Sequence, residues 1–368
     1  MLIAIIVGTR PEIIKMSPVI RHCINKKIGF FVIHSGQHYS FNMDQVFFEE
    51  LELPQPKYNL GIKSTAPFRQ GEHTGRMMID IEKILLKEQP DIVLVHGDTN
   101  TTLAGALTTS KISTTKEYTG RCIKLGHVEA GLRSFDRSMP EEINRVIADH
   151  LSDYLFAPTG QSKENLVNEG IEPKKIFVTG NTIFDAVLEN LRIADKKFSM
   201  LDKLSLKKNG YFLATIHRQE SVDVKERLKN ILKGLELVYN YSKIPIIYPI
   251  HPRTKKLIEN FNLDIPKCIK IIEPLGFLEF LQLEANARLI LTDSGGIQEE
   301  SCILKVPCVT LRKTTERPET IKAGSNIIAG YEPESILASA KEMLKSERNW
   351  ANPFGDGKAA EKIMKILA

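Results

Sequence analysis

The sequence predicts an α/β protein built from two doubly wound parallel sheets. Short β-branched runs alternate with longer amphipathic segments along all 368 residues, which is typical of parallel strands joined by helices. Some runs are continuously apolar, as at 92–95 and 289–291, and this indicates strands buried on both faces. The predicted strands are too many for one comfortable sheet, so we divide them between two domains.

The predicted strands are short and rich in β-branched residues. They lie at 2–7, 30–34, 91–96, 122–127, 154–157, 175–179, 211–216, 245–250, 269–273, 288–292 and 308–311. The segments between them have the apolar spacing of amphipathic helices. The clearest of these helices are predicted at 70–88, 140–151, 181–194, 222–240, 294–304 and 332–346.

A domain boundary is expected after Gly180, giving domains over 1–180 and 181–353. A long helix and a Lys-, Asn- and Gly-rich stretch at 195–210 follow that point, and a new strand begins at Tyr211. Open α/β sheets bind ligands at the carboxyl ends of their strands. Two such sheets facing each other are therefore expected to place their functional loops across one central cleft.

Composition excludes several classes of protein. The chain is 42% hydrophobic and 26% charged, which argues against a disordered, collagen-like or disulfide-scaffold protein. Its net charge of +5 is not concentrated in a basic stretch, so a nucleic-acid partner is not expected. The five cysteines form no C-x-x-C pair and indicate reduced thiols. No run approaches a signal peptide or a membrane span, and we expect a cytoplasmic protein without a membrane partner.

Candidate functional residues follow the strand ends of the first half. GTRPEIIK (8–15) places Arg10 at a helix N-terminus, which is either an anion site or a tight turn with a solvated arginine. VHGDTNTT (95–102) places Asp98 just past a buried strand. From this motif alone, Asp98 is as consistent with a helix N-cap as with a chemical role.

Two further motifs in the first half contain acids. In GHVEAGLRS (126–134), Gly131 leaves backbone room for a ligand beside Glu129. His127 and Glu129 have a metal-like spacing, but no third ligand is apparent and no metal site is expected. In MPEEINR (139–145), Glu141 is either functional or an ordinary helix-start acid paired with Arg145 at i,i+4.

The second half repeats the pattern of polar residues at strand ends. ATIHRQES (214–221) and YPIHPR (248–253) place His217 and His251 at equivalent positions. TDSGGIQEE (292–300) opens a helix whose free N–H groups suit a diphosphate, although a Gly-rich turn is the alternative. Glu300 is then placed for ribose hydroxyls, and Arg317 in TTERPE (314–319) for phosphate charge. The sequence contains neither G-x-x-x-x-G-K-[ST] nor G-x-G-x-x-G, so an ordinary mononucleotide or dinucleotide loop is not indicated.

Together these motifs resemble those of the non-hydrolysing UDP-N-acetylglucosamine 2-epimerases, from GTRPE at the start to NPFGDGKAAEKI (352–363) at the end. The resemblance implies a GT-B architecture of two Rossmann-like domains, with the last helix, 354–368, crossing back to the first domain. It implies interconversion of UDP-N-acetylglucosamine and UDP-N-acetylmannosamine by elimination of UDP to 2-acetamidoglucal and re-addition. No metal or other cofactor is implied, and a homodimer is expected.

The resemblance also implies residue roles. The catalytic residues it implies are the acids Asp98, Glu129 and Glu141, and His217 beside the leaving diphosphate. The substrate-binding residues it implies are Arg10 and Lys15, then Ser294, Gly295, Gly296 and Arg317 for phosphate, Glu300 for ribose, and Leu275 and Phe280 for uracil. An activator site like that of some bacterial relatives would involve Gln37, His38 and Arg69. The competing functions are a GT-B glycosyltransferase, a hydrolysing 2-epimerase and a non-catalytic nucleotide-sugar sensor.

Overall fold

A computed structural model describes residues 1–36, 41–62, 69–114, 120 and 122–368. Gln37 and His38 lie outside the described residues. The chain forms two compact units. The first contains Met1–Ala186 and Phe354–Ala368, and the second contains Val187–Pro353. The boundary therefore falls inside a helix rather than after Gly180, because the beginning of that helix packs in the first unit.

The first unit contains a 7-stranded parallel sheet with strand order β3-β2-β1-β4-β5-β6-β7. Its strands are β1 Leu2–Val7, β2 Gly29–His34, β3 Tyr58–Asn59, β4 Ile92–His96, β5 Lys124–Val128, β6 Tyr154–Ala157 and β7 Ile176–Val178. The helices that begin in this unit are α1 Arg10–Lys26, α2 Phe41–Glu50, α3 Gln70–Glu88, α4 Asn100–Thr114, α5 Pro140–Leu151, α6 Gly160–Asn168 and α7 Thr182–Lys197.

The second unit contains a 6-stranded parallel sheet with strand order β10-β9-β8-β11-β12-β13. Its strands are β8 Phe212–Thr215, β9 Ile246–Pro249, β10 Ile269–Ile272, β11 Leu289–Thr292, β12 Cys308–Thr310 and β13 Asn326–Ile328. Its helices are α8 Met200–Leu204, α9 Gln219–Val222, α10 Lys225–Ser242, α11 Pro252–Asn260, α12 Phe277–Asn286, α13 Gly295–Ile303, α14 Pro318–Lys322 and α15 Pro333–Met343.

The predicted α/β fold is confirmed, and burial explains why the sequence predicts it well. Every residue of β4 and β11 is buried, because each strand lies inside its sheet with helices on both faces. Every predicted strand has a counterpart in the structure. Two strands, β3 and β13, were not predicted, since each is a two- or three-residue strand at a sheet edge.

The last helix, α16 (Ala359–Leu367), belongs to the first unit and packs against α1. The backbone N–H groups of Ala359 and Ala360 donate to the buried carboxylate of Asp185 at 3.1 Å and 3.0 Å. Met364 lies against Cys23 of α1, with the two sulfur atoms 4.0 Å apart. None of the described helices is long and apolar enough to cross a membrane.

All strands of each sheet are parallel, but the order in which the chain adds them changes direction at one point. Ligands of such sheets bind at this switch point. The switch lies between β1 and β4 in the first unit and between β8 and β11 in the second. Gly8 follows β1 and lies very close to α4. A Cβ at this position would lie 2.1 Å from the Thr101 hydroxyl oxygen of α4. The loops after these four strands are therefore the candidate site of each unit.

Candidate active site

A buried glutamate links two turns at the switch point of the first sheet. One oxygen of Glu12 accepts the backbone N–H groups of Gly8 and Thr9, both at 2.8 Å. Its other oxygen accepts the hydroxyls of Thr99 at 2.7 Å and Thr102 at 3.2 Å, across the β4–α4 turn. These bonds hold the ends of β1 and β4 together, so the side chains that follow have fixed positions.

Asp98 is not the cap of α4. The cap is Thr99, whose hydroxyl oxygen accepts the backbone N–H of Thr102 at 3.2 Å. The carboxylate of Asp98 instead forms an ion pair with Arg145 of α5, and Asn144 donates to its backbone carbonyl at 2.9 Å. The Asp98 side chain remains 31% exposed. It is therefore held at the strand end and still accessible to a ligand.

The two acids that begin α5 differ in environment. Glu142 is buried and accepts the backbone N–H groups of Ser134 and Phe135, both at 3.0 Å, and Arg145 at 2.7 Å. Burial opposes the ionisation of Glu142, but these donors lower its pKa overall. Glu141 is exposed. The alternative pairing of Glu141 with Arg145 is wrong, because Arg145 is engaged by other carboxylates.

Glu129 has a strained backbone beside a buried cation. Its φ is 71°, in the left-handed region that residues other than glycine rarely adopt. Lys15 Nζ lies 2.5 Å from Glu129 Oε2, Asn181 donates to the same oxygen at 3.3 Å, and His96 Nε2 lies 3.8 Å from it. Burial lowers the pKa of His96 to about 3, so this ring is neutral. Strain of this kind is concentrated at functional sites.

One prediction about the β5 motif needs correction. Gly131 does not leave room for a ligand, since a Cβ there would lie 2.3 Å from the carbonyl oxygen of Ser162, and packing against α6 requires the glycine. His127 binds Asp149 and a backbone carbonyl rather than sharing a ligand with Glu129. Among the described residues, no group of three or more His, Cys, Asp or Glu side chains could hold a metal ion.

The two cations of the first motif lie in different environments. Lys15 is buried and paired with Glu129. Arg10 is the first residue of α1, and its guanidinium lies 5.3 Å from the ring centroid of Phe47 in α2. Lys15 therefore contacts a predicted acid/base residue directly.

A histidine–aspartate pair lies at the switch point of the second sheet. His217 Nδ1 lies 2.9 Å from Asp293 Oδ1, and Asp293 Oδ2 accepts the backbone N–H groups of His217 and Arg218 at 2.9 Å and 2.8 Å. Asp293 is fully buried, whereas the His217 side chain is 45% exposed. Sequence reasoning missed Asp293, although it follows β11 just as Asp98 follows β4.

The second histidine of this unit lies near the first. The ring centroids of His217 and His251 are 6.5 Å apart. His251 Nδ1 accepts the backbone N–H of Arg253 at 3.2 Å and caps α11. Burial lowers the pKa of His251, and the neighbouring His217 and Arg253 add to this effect. His251 is therefore a neutral capping residue.

The N-terminus of α13 has an open backbone. A Cβ at Gly295 would meet nothing closer than Glu316 Oε2 at 3.6 Å, and one at Gly296 nothing closer than Ser294 Oγ at 4.0 Å. Neither glycine has a positive φ. Protein packing therefore requires neither glycine.

Arg218 and Arg317 are the cations near this helix. Arg218 Nη2 lies 3.9 Å from the Cβ position of Gly295. Arg317 Nε lies 2.8 Å from a carboxylate oxygen of the buried Glu299. The sequence places Arg218 beside His217 at a strand end and assigns the phosphate to Arg317, and that assignment stays a prediction.

Two carboxyl groups lie close together, one on α12 (Glu284) and one on α13 (Glu300). Glu284 of α12 is fully buried, and its carboxyl contacts that of Glu300. Burial and the neighbouring Glu300 raise the pKa of Glu284 well above its ordinary value. Burial and the nearby carboxyl of Glu300 therefore favour the protonated form of Glu284.

The residues predicted near uracil lie between β10 and α12 and within α12. Leu275 and Phe280 are partly buried and pack against a core cluster that includes Tyr211 and Leu283. Their environment is apolar, and part of each side chain remains accessible.

The family model for UDP-N-acetylglucosamine 2-epimerase matches residues 22–368. The chain belongs to the UDP-N-acetylglucosamine 2-epimerase family. The UDP-N-acetylglucosamine 2-epimerase of Methanocaldococcus jannaschii is 58% identical over 374 residues, covering 100% of this chain and 99% of that protein. The crystal structure of the M. jannaschii enzyme in complex with UDP-GlcNAc and UDP matches with a TM-score of 0.84 and 57% identity, and covers 100% of this chain and 99% of the other. The UDP-2,3-diacetamido-2,3-dideoxy-D-glucuronate 2-epimerase of Pseudomonas aeruginosa is 39% identical and covers 100% of this chain and 99% of that protein.

In this member of the epimerase family, contacts within each unit link some of the predicted residues. The first unit joins Lys15 to Glu129 directly, and α5 carries both Glu141 and the arginine that binds Asp98. The second unit places His217 and the N-terminus of α13 at one switch point. The residues that sequence reasoning missed are polar groups beside these residues, namely Glu12, Asn181, Glu284 and Asp293.

Proposed function

We propose that this chain interconverts UDP-N-acetylglucosamine and UDP-N-acetylmannosamine by eliminating UDP to 2-acetamidoglucal and adding it back. Family membership supports the activity. The observation that carries the chemistry is the carboxylate of Glu129, held at a strained backbone position against the ammonium of Lys15. A group fixed in this way is suited to moving one proton at one place on a bound sugar.

The reaction needs both a leaving group and proton transfer. The hydrogen on carbon 2 of the sugar is not beside a carbonyl, so its direct removal is very difficult. Breaking the anomeric C–O bond first makes carbon 1 electron-poor and carbon 2 acidic. We assign proton transfer to Glu129 and Asp98, with Glu141 as a third acid whose exposed position leaves it free to reach a ligand.

The second unit supplies the groups for the departing UDP. Developing negative charge on the diphosphate is stabilised by His217, by the N–H groups at Gly295 and Gly296, and by Arg218. Asp293 holds the His217 ring through Nδ1 and leaves Nε2 for the ligand. We assign the ribose to Glu300 and the uracil to the segment 274–280, whose side chains are partly apolar.

The test is proton NMR of UDP-N-acetylglucosamine incubated with the pure protein in D2O. A second UDP-sugar that carries deuterium at carbon 2 is the expected product. Free N-acetylmannosamine with UDP would indicate a hydrolysing epimerase, and release of UDP only with an added acceptor would indicate a glycosyltransferase. Unchanged substrate that still binds would indicate a nucleotide-sugar sensor.

The sugar that the protein accepts is tested in the same experiment. The 39% identical relative is named for a diacetamido glucuronate nucleotide, so that compound is the competing substrate. We propose the N-acetylglucosamine nucleotide because the 58% identical relative is named for it. Faster deuterium incorporation into the glucuronate compound would reverse this assignment.

We also propose a cytoplasmic homodimer. All five cysteines are free thiols, which fits a reducing compartment. The dimer rests on the family resemblance, and multi-angle light scattering tests it directly. A monomeric mass at working concentration would contradict it.

A further inference from the structure

His127 of β5 lies fully buried between two hydrogen-bond acceptors. Its Nδ1 is 2.6 Å from Asp149 Oδ1, and its Nε2 is 2.8 Å from the carbonyl oxygen of Gly97. A neutral imidazole has one N–H, so one of its nitrogens would direct a lone pair at an oxygen. When Asp149 is ionised, both contacts are hydrogen bonds only if both ring nitrogens carry a hydrogen.

Asp149 is ionised in this arrangement. Its Oδ2 accepts the backbone N–H of Gly131 at 3.1 Å and lies 2.7 Å from Arg133 Nη1. Arg133 is itself buried and bound to Glu169 at 2.6 Å. Burial opposes the charge on Asp149, but His127 and Arg133 lower its pKa overall. Burial likewise opposes the charge on His127, and the Asp149 carboxylate raises the pKa of His127 overall.

The network joins two turns to one helix. Gly97 immediately precedes Asp98, and Gly131 lies just after Glu129 in the next turn. His127 binds the first turn, and Asp149 of α5 binds both His127 and the second turn. His96, on the neighbouring strand, is a buried ring whose pKa falls to about 3 through burial, with a smaller contribution from His127, so it is neutral.

We propose that His127 is a positioning residue, kept as an imidazolium, that fixes the placement of Asp98 relative to Glu129 for proton transfer. The inference rests on the proposed function, which assigns proton transfer to those two carboxylates. His127 has no exposed surface, so it acts through the two turns rather than by touching a ligand.

The charge of His127 is tested without any activity. Side-chain ¹⁵N NMR of the labelled protein at pH 8 should show one imidazolium ring assigned to His127, whereas an ordinary histidine with a pKa of about 6.5 is neutral there. Asp149→Asn removes the carboxylate and should make the ring neutral at the same pH. A neutral ring at pH 8 in the unaltered protein would overturn the proposal.

The positioning role is tested by separating turnover from nucleotide binding. His127→Asn should lower deuterium incorporation at carbon 2 of UDP-N-acetylglucosamine at least about tenfold, because small misplacements of proton-transfer groups are costly. Its Kd for UDP should stay within about twofold, since the UDP groups are assigned to the second unit. Leu125→Ala, at another buried position of β5, is the matched control for a packing defect.

Both variants are compared at a temperature where circular dichroism shows each to be folded. Normal turnover in folded His127→Asn, or an equal loss in Leu125→Ala, would overturn the positioning role. If the unaltered protein makes no deuterated UDP-sugar, the proposed function fails, while the ¹⁵N measurement still decides the charge of His127.

Discussion

The buried carboxylate of Asp293 binds His217 twice, through ring Nδ1 and through the backbone N–H, both at 2.9 Å. The two contacts fix the ring plane and leave Nε2 without a partner among the described residues. A protonated ring held in this way donates one hydrogen bond to Asp293 and one to a ligand. The pair thus sets the direction of the ring nitrogen that faces a ligand before a diphosphate arrives.

Asp293→Asn should reduce turnover at least about tenfold, because the amide favours a different tautomer and ring orientation of His217. Initial rates of UDP-N-acetylglucosamine epimerisation check this result. Asp264→Asn changes an exposed aspartate of the same unit and is the control. Equal rates in the two variants would remove Asp293 from the positioning of His217.

Glu129→Gln should reduce turnover by at least about 100-fold, within the range for loss of a proton-transfer group. The amide keeps the size of the side chain but loses the basic oxygen that faces Lys15. Deuterium incorporation at carbon 2 should fall at least as steeply as net epimerisation, with the Kd for UDP nearly unchanged. Glu164→Gln, on the exposed side of α6, should behave as the unaltered protein. Full turnover in Glu129→Gln would leave Glu129 with a structural role only.

Gly295→Ala should separate ligand binding from stability. The nearest protein atom to the new Cβ lies 3.6 Å away, so Tm should be unchanged. The methyl group would obstruct the helix N–H groups, and UDP should bind at least about tenfold more weakly, equal to ~1.4 kcal/mol for one lost charge-assisted hydrogen bond.

Gly131→Ala is the contrasting variant. Its Cβ would lie 2.3 Å from a backbone oxygen, and the φ of Gly131 is 81°, so the variant should unfold more readily, by ~1–3 kcal/mol for the strained backbone alone. Calorimetric Tm values and UDP titrations distinguish the two glycines. A large loss of Tm in Gly295→Ala would assign that glycine to packing.

Glu284→Gln should change how stability depends on pH. Burial and Glu300 raise the folded-state pKa of Glu284 above its ordinary value of 4.5. The stability that Glu284 contributes is therefore fully present below the unfolded pKa and is lost as the pH rises through the folded pKa. Glutamine has no such loss, so the variant should gain free energy of unfolding relative to the unaltered protein above about pH 4.5. Urea unfolding of both proteins at several pH values checks this. A free energy of unfolding that depends on pH in the same way in both proteins would contradict it.

The sequence predicts the fold well because buried parallel strands are continuously apolar, as in β4 and β11. It predicts the strand-end residues for the same reason, since the ends of such strands are easy to locate. It does not reveal pairing between distant side chains. Spacing alone favours Glu141 for Arg145, whereas the fold gives Arg145 to Asp98 and Glu142.

Glycines show the same limit of sequence reasoning. Gly131 and Gly295 look alike in the sequence, as small residues beside a polar strand end. Only the fold shows that the first is required by α6 and the second is not required by the protein. The pairing of Asp293 with His217 was missed because the two residues are far apart in the chain and meet only through β8 and β11.

The packing of α16 on α1 has a consequence for biosynthesis. Residues 354–368 leave the ribosome only after the whole of the second unit, yet they complete the first. Until then, the carboxylate of Asp185 lacks the N–H groups of Ala359 and Ala360, and the face of α1 that contains Cys23 has no cover from Met364. The second unit is continuous in sequence and can fold during translation. The first unit stays incompletely folded until residues 354–368 have been synthesised. A molecular chaperone would bind its uncovered apolar surface at that stage.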